Sequence, residues 1–138
     1  MEAEESALER GDVEAAVAAV VDAWTLPDAS AQLRERVARM QRRAFELQLA
    51  ADESTEGLDP VEDDPAGTLA QIRLPVLVAA GERDMPDFRD GAEVLAAQLP
   101  DARRVDIAGA GHLAPLEQPD AFRELLLGYL AVVSADAG

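Results

Sequence analysis

The apolar run over residues 75–81 constrains the fold more than any other feature of the chain. It reads Pro-Val-Leu-Val-Ala-Ala-Gly, with β-branched members inside and proline and glycine at its ends. Runs of this kind are typical of a strand buried on both faces of a parallel sheet, because neither face needs polar side chains. The sequence therefore predicts a buried strand here and an α/β fold class for the chain.

The residues after this run predict a crossover unit and a closing helix. Residues 87–98 have apolar side chains at helical spacing, and residues 103–108 indicate a second strand. A strand, a helix and a strand in this order favour a parallel pair with a right-handed crossover. Residues 134–138 are expected to be a frayed tail. Before them, a helix that begins near Pro119 is predicted to have an apolar face of Phe122, Leu125, Leu126, Tyr129 and Leu130.

The first part of the chain predicts two amphipathic helices. Asp12 can cap a helix whose apolar face comprises Val13, Ala16, Val17, Val20, Val21 and Trp24. Ser30 can cap a second helix that runs to about Ala51, with an apolar stripe of Leu33, Val37, Met40, Ala44 and Leu47. The second helix also carries arginines that we interpret as a solvated face: Arg34, Arg36, Arg39, Arg42 and Arg43.

An acidic stretch divides the chain into two parts. Residues 52–64 contain seven acids and no basic residue, and glycine and proline recur within and just after them, so we expect a solvated loop or linker. We therefore divide the chain into a helical segment, 1–67, and an α/β segment, 68–138. The stretch partly matches a calcium-binding loop. Calcium binding is not predicted, because Asp59 stands where an apolar residue packs and Asp63 replaces the bidentate glutamate.

Composition excludes several classes of function. The chain has 28 acidic and 12 basic residues and a net charge of −16, so we expect it to bind neither nucleic acid nor an anionic membrane surface. It has no cysteine, and so no thiolate nucleophile and no cysteine-ligated metal. No apolar stretch approaches the roughly 20 residues that span a bilayer, and the start lacks the regions of a secretory signal. A cytoplasmic protein is therefore expected.

Two loops after the predicted strands carry the residues suited to proton transfer. Gly81-Glu82-Arg83-Asp84 follows the first strand, and Gly109-Ala110-Gly111-His112 follows the second. Reactive groups in open α/β sheets lie just beyond the carboxyl ends of strands, so Asp84 and His112, the only histidine, can meet if the strands are neighbours. The carboxylate would then fix the imidazole tautomer and stabilise the imidazolium. Glu82 is the alternative acid, and a turn histidine with an ordinary loop acid is the alternative without catalysis.

Three strings occur in an order typical of one family: IRLPVLVAAGERD, LAAQLPDARRVDIAGAGHLAPLEQPDAF and LLLGYL. Over residues 72–130 the chain resembles the C-terminal third of the α/β-hydrolase fold family, in particular its lactonase- and esterase-like branch. The resemblance implies a partial hydrolase core of two parallel strands and C-terminal helices. It also implies that Asp84 is the acid and His112 the base of a catalytic triad, that the substrate is a small ester, lactone or similar carbonyl compound, and that no cofactor or metal is needed.

The first part of the chain, residues 1–67, is similar to the helical cap that many members of this family insert before these strands. The least generic parts of this similarity are Trp24 and the string LRERVARMQRRAFELQ. Three of its apolar side chains could line an acyl pocket, although helical spacing equally suits a core: Trp24, Met40 and Phe45.

The chain departs from the family pattern in one respect, because it has no G-x-S-x-G, the turn that presents the nucleophilic serine. A histidine and an aspartate without a nucleophile and oxyanion donors cannot form and stabilise an acyl intermediate. We therefore expect little or no hydrolysis by these 138 residues alone. The serines lie at helix starts, in the acidic stretch or in the tail: Ser6, Ser30, Ser54 and Ser134.

Two functions remain open at this point. The first is the C-terminal portion of a serine hydrolase that supplies Asp84 and His112 to a nucleophile from sequence outside the chain. The second is a non-catalytic interaction module that keeps the hydrolase scaffold. In both, the apolar face of the strand must be covered by another segment. The candidates are a missing N-terminal hydrolase half, a second copy of the chain and the helices of residues 1–51.

Overall fold

The structure is a computed structural model that describes residues 2–50 and 65–136. It divides into two compact units, Met1–Val61 and Glu62–Gly138, which are described separately below. The acidic stretch 52–64, with its predicted linker and the rejected calcium pattern, lies outside the described residues. Within the described ranges, no helix is long and apolar enough to cross a membrane.

The first unit consists of three described helices, α1 (Glu2–Glu9), α2 (Val13–Trp24) and α3 (Ala31–Ala50). The two predicted caps are present, because an Asp12 carboxylate oxygen accepts from the Ala15 N–H at 3.0 Å and the Ser30 hydroxyl accepts from the Leu33 N–H at 3.1 Å. Helix α1 was not predicted, because its apolar pattern is short. Ala7 is its one buried residue.

The predicted apolar stripe of α3 is wrong at three of its positions, because Met40, Ala44 and Leu47 are exposed. Met40 and Leu47 are 53% and 55% exposed, whereas the buried residues of the helix are Val37 and Phe45. Helix α3 packs on α2, whose buried face includes Val17. Two overlapping apolar stripes exist on α3, and packing on α2 selects the one that includes Phe45.

The arginines of α3 are not simply a solvated face, because two of them bridge to α2. The Arg42 guanidinium donates to both carboxylate oxygens of Glu14 at 2.7 Å. This hydrogen bond, opposed by partial desolvation and supported by the charge of Arg42, holds the pKa of Glu14 below its ordinary value. Arg34 pairs with Asp22 and also donates to the Thr25 hydroxyl at 2.7 Å. These bridges join α2 and α3 along their polar edges.

The second unit contains the predicted strand, helix and strand. Its elements in chain order are α4 (Pro65–Leu69), β1 (Val76–Gly81), α5 (Pro86–Gln98), β2 (Ala102–Ile107), α6 (Ala114–Glu117) and α7 (Pro119–Asp136). The strands are parallel and in register from the pair Val76 and Ala102 to the pair Gly81 and Ile107. The α/β class is therefore confirmed, and both strands end at the same edge of the sheet.

Three elements differ from the sequence predictions. Helix α4 forms where proline and glycine were expected to break regular structure, because proline is tolerated in the first turn of a helix. Helix α6, which covers Ala114–Glu117, was not predicted from the sequence. Helix α7 extends to Asp136, so residues expected to fray from 134 onward continue the helix within the described range.

The first strand is buried less completely than predicted. Val78 and Ala80 are buried, but Ala79 is exposed and Leu77 is half-buried. A groove of about 430 Å³ follows the open face, and apolar residues of β1 and α7 line most of it, among them Leu77, Ala79, Leu126 and Leu130. The predicted exposed apolar face of the strand is thus present in the second unit.

The carboxyl end of the second unit's sheet has a small core. Ile107, Ala110 and Ala114 are buried, and Phe122 and Leu125 of α7 pack against them. This cluster ties the end of β2 to α6 and α7. It therefore fixes the stretch of backbone from which His112 projects.

Candidate active site

The candidate site is built from the two turns that follow the parallel strands. Asp84 lies three residues after the end of β1, and its N–H donates to the Gly81 carbonyl at 3.1 Å. His112 lies in the turn after β2. The Arg83 N–H donates to the Ala110 carbonyl at 2.8 Å, so the two turns are joined through their backbones. Residues 28 positions apart in the sequence are brought together in this way.

The structure places the imidazole of His112 against the carboxylate of Asp84. Nδ1 of His112 lies 3.1 Å from each carboxylate oxygen. The Asp84 side chain is 8% exposed and the His112 side chain is 30% exposed. The Met85 N–H also donates to an Asp84 carboxylate oxygen at 2.8 Å, which fixes the direction of the carboxylate. A carboxylate in this place favours the tautomer with its proton on Nδ1 and presents Nε2 as the basic nitrogen.

Phe88 is a neighbour of the imidazole that sequence reasoning missed. Its ring centroid lies 4.4 Å from that of His112, with the two ring planes at 54°. Phe88 lies within the helix predicted over residues 87–98, whose apolar side chains are at helical spacing, but the residue is 43% exposed. Its position four residues after Asp84, in the first turn of the following helix, is the one signal that could have placed it beside the site.

A cavity of about 330 Å³ opens beside the pair. Asp84 and His112 contribute to its wall, and the remaining lining residues are apolar or glycine: Ala79, Ala80, Gly81, Phe88, Ala92, Ile107, Ala114, Pro115 and Phe122. The site therefore combines one acid and base pair with a surface suited to the hydrocarbon part of a small molecule.

Glu82, the alternative acid, has a different position. Its carboxylate accepts a hydrogen bond from the Gly109 N–H at 2.9 Å, whereas Asp84 contacts the imidazole. No serine lines the cavity described above. Ser54 lies outside the described residues.

The other predicted site features are distributed as follows. In the first unit Phe45 is buried and Met40 is 53% exposed, and a role of either in an acyl pocket stays a prediction, as it does for Trp24. Among residues 2–50 and 65–136, no group of three or more histidine, aspartate or glutamate side chains is arranged to hold a metal ion.

Two solved structures share the fold of this chain over almost its whole length. A thermophilic esterase from Thermogutta terrifontis matches with a TM-score of 0.69 and 20% identity, over 96% of this chain and 48% of the esterase chain. MenH from S. aureus also matches with a TM-score of 0.69 and 20% identity, over 96% of this chain and 50% of its own. Both are α/β-hydrolases. The chain has part of the α/β-hydrolase fold.

Sequence comparison finds relatives that are much longer than this chain. Polyketide synthase ThaQ from Burkholderia thailandensis is 34% identical over 121 residues, which are 86% of this chain and 6% of the synthase. RutD of Azorhizobium caulinodans, inferred to be a carbamate hydrolase, is 38% identical over 63 residues, 44% of this chain and 23% of RutD. No family model matches. The chain thus spans about half of the solved α/β-hydrolases it matches and a smaller share of these relatives.

Proposed function

We propose that this chain is the C-terminal portion of an α/β-fold serine hydrolase, in which Asp84 and His112 are the acid and base of a catalytic triad. The observation that supports the proposal is the 3.1 Å contact between His112 Nδ1 and the Asp84 carboxylate at the carboxyl ends of two parallel strands. That is the edge at which α/β folds hold their reactive groups. In this proposal residues 1–67 are the cap-like segment and residues 68–138 the part of the core that carries the pair.

In this proposal the nucleophile comes from sequence outside these 138 residues. The chain carries the residues proposed as acid and base, Asp84 and His112, and its sequence lacks a G-x-S-x-G turn. A serine hydroxyl would attack the substrate carbonyl while His112 Nε2 takes the hydroxyl proton, and Asp84 stabilises the imidazolium. His112 then gives that proton to the leaving group as the tetrahedral intermediate collapses to an acyl-enzyme. Hydrogen-bond donors for the oxyanion must come from the same outside sequence as the serine.

The proposed substrate is a small ester, lactone or similar carbonyl compound, and no cofactor or metal takes part. The apolar wall of the cavity beside His112 supports an acyl or alkyl group as the bound part. The names of two similar proteins, an esterase and a carbamate hydrolase, are consistent with hydrolysis at an acyl carbon.

The polyketide synthase match supports a chain that works together with further sequence. It covers 86% of this chain but only 6% of the synthase. The esterase match likewise covers about half of the esterase chain. The apolar groove along β1 and α7 is the surface we assign to the remaining half of the hydrolase.

The test compares the chain alone with the chain co-expressed with the sequence encoded directly upstream of it. The activities to measure are hydrolysis of short aryl esters and of lactones, together with labelling by a serine-reactive fluorophosphonate. The proposal expects no labelling of the lone chain, and labelling and hydrolysis in the complex that His112→Ala abolishes. Glu124→Ala, at an exposed position of α7, is the matched control. Hydrolysis that survives His112→Ala would contradict the triad assignment.

The second candidate function is a non-catalytic interaction module that retains the hydrolase scaffold. The open apolar groove favours it, because exposed apolar surfaces of this kind commonly bind another protein. The two candidates differ at His112. A module would bind its partner equally well with His112→Ala and would gain no hydrolysis from any partner, whereas a hydrolase half would lose its activity but keep its partner.

A further inference from the structure

The turn that carries His112 has almost no side chains with which to hold itself. Gly109, Ala110 and Gly111 precede the histidine, and Gly109 adopts a φ of +70°, which glycine accepts at little cost. The position of the imidazole therefore depends on the packing of Ala110 and on what binds the backbone of these residues.

Two carboxylates from different elements bind that backbone. An oxygen of Glu82, in the turn after β1, accepts from the Gly109 N–H at 2.9 Å. An oxygen of Glu117, the last residue of α6, accepts from the Gly111 N–H at 2.7 Å. Hydrogen bonds from a backbone N–H to an ionised acceptor are about twice as strong as neutral ones. The two bonds lie on either side of Ala110, which is fully buried.

The environment of Glu117 indicates that its contact with Gly111 is the interaction that offsets its partial burial. Its second oxygen, Oε1, is buried and has no hydrogen-bond partner within the described residues. Burying a carboxylate oxygen in this state is unfavourable unless another contact of the group offsets the cost. The described contact that does so is the short bond from the Gly111 N–H.

We propose that Glu82 and Glu117 are positioning residues that clamp the backbone of the His112 turn and thereby hold the imidazole against Asp84. The relevance of the clamp to catalysis rests on the proposed function, but its geometry does not. In particular, Glu82 acts on the same histidine as Asp84 through the backbone of the turn, and not as an alternative triad acid.

The first test uses the unmodified chain and measures amide hydrogen exchange at Gly109 and Gly111 by NMR. Both amides are expected to be protected. In Glu82→Ala the Gly109 amide, and in Glu117→Ala the Gly111 amide, should exchange about ten-fold or more faster. Glu124→Ala, on the exposed side of α7, should leave both rates unchanged. Rapid exchange of both amides in the unmodified chain would overturn the clamp without any variant.

The second test measures the imidazole itself, whose nitrogen signals are unambiguous because the chain has one histidine. The ¹⁵N shifts should show the proton on Nδ1 in the unmodified chain. Glu82→Ala and Glu117→Ala should shift the signals toward a mixture of tautomers. Glu117→Gln, which keeps an acceptor oxygen, should retain most of the imidazole nitrogen shifts of the unmodified chain. An unchanged tautomer in both alanine variants would overturn the proposal.

The two proposals can fail separately. If the clamp variants behave as expected but no outside sequence yields a hydrolase, the clamp stands and the proposed function fails. If His112 proves essential to hydrolysis while both alanine variants leave its tautomer unchanged, the function stands and the clamp fails.

Discussion

Gly81 and Gly111 approach each other through their backbones at the end of the sheet. A Cβ atom added at Gly81 would lie 2.1 Å from the Gly111 carbonyl oxygen and 2.5 Å from that of Ala110. Both obstacles are main-chain atoms, which cannot rotate away as a side chain can. The absence of a side chain at Gly81 is therefore what lets the turn of His112 lie on the end of β1.

Gly81→Ala is expected to destabilise the second unit. The new methyl group must push the 109–111 turn away, and overpacking of this kind costs about 1–3 kcal/mol. Urea unfolding followed by the ring-proton signals of His112 measures the effect within that unit. Gly91→Ala is the matched control, because nothing lies within 4 Å of its added Cβ and it lies inside helix α5. That change should stabilise the unit by about 0.5–1 kcal/mol, and equal unfolding midpoints for the two variants would contradict the account of Gly81.

Truncation of Ile107 is expected to loosen the core beneath the site. The side chain is 4% exposed and packs with Ala110, Ala114 and the α7 residues Phe122 and Leu125. Ile107→Val should cost about 0.5–1.5 kcal/mol and Ile107→Ala about 2–5 kcal/mol, because the second leaves a larger cavity.

The same unfolding measurement checks the Ile107 series. Val94→Ala, at a position 56% exposed on α5, should change the free energy of unfolding by less than about 0.5 kcal/mol. A cost for Ile107→Ala no larger than that of Val94→Ala would mean that the cluster does not stabilise the second unit.

The order of the two strands and of helices α5 and α7 in the second unit could be predicted from the sequence because the signals are local. The run that ends at Gly81 has the composition of a parallel strand, and proline marks the first turns of α5 and α7. The meeting of Asp84 and His112 then follows from topology, since parallel neighbouring strands end at one edge. The contact could therefore be expected from the sequence alone.

Features that depend on a partner element could not be predicted. Apolar residues on α3 form two overlapping stripes, and only contact with α2 selects Phe45 over Met40 and Leu47. Likewise, nothing in the sequence shows that Glu117 accepts from the Gly111 N–H, because every residue except proline has such a backbone donor. The sequence shows the residues suited to chemistry, whereas the bonds that hold them appear only in three dimensions.

The pair between Glu14 and Arg42 is expected to make the first unit sensitive to acid. The hydrogen bond from Arg42 lowers the pKa of Glu14 in the folded chain. The pair therefore contributes its full stabilisation above the pKa of unfolded glutamate and loses it as the pH falls through the folded pKa. Thermal unfolding followed by the fluorescence of Trp24, the only tryptophan, measures this between pH 7 and pH 3.

Glu14→Gln should lower the unfolding temperature of the first unit at pH 7 and have a smaller effect as the pH falls toward 3, because protonation of Glu14 weakens the pair. Glu5→Gln removes the same charge from an exposed position of α1 and serves as the control. The interpretation would be wrong if Glu14→Gln lowered the unfolding temperature equally at both pH values, because the bond to an ionised carboxylate would then have no part in the effect.

Asp84→Asn is expected to disrupt the site while leaving the fold intact. An asparagine can present its amide N–H to Nδ1 and so favour the tautomer with the proton on Nε2, which cannot accept a proton from a hydroxyl. In the complex with a nucleophile the change should reduce kcat by about 10⁴-fold. In the lone chain, ¹⁵N signals of the single imidazole should report the change of tautomer directly. Asp87→Asn, at an exposed position in the first turn of α5, should alter neither quantity, and full activity of Asp84→Asn would assign the triad acid to another residue.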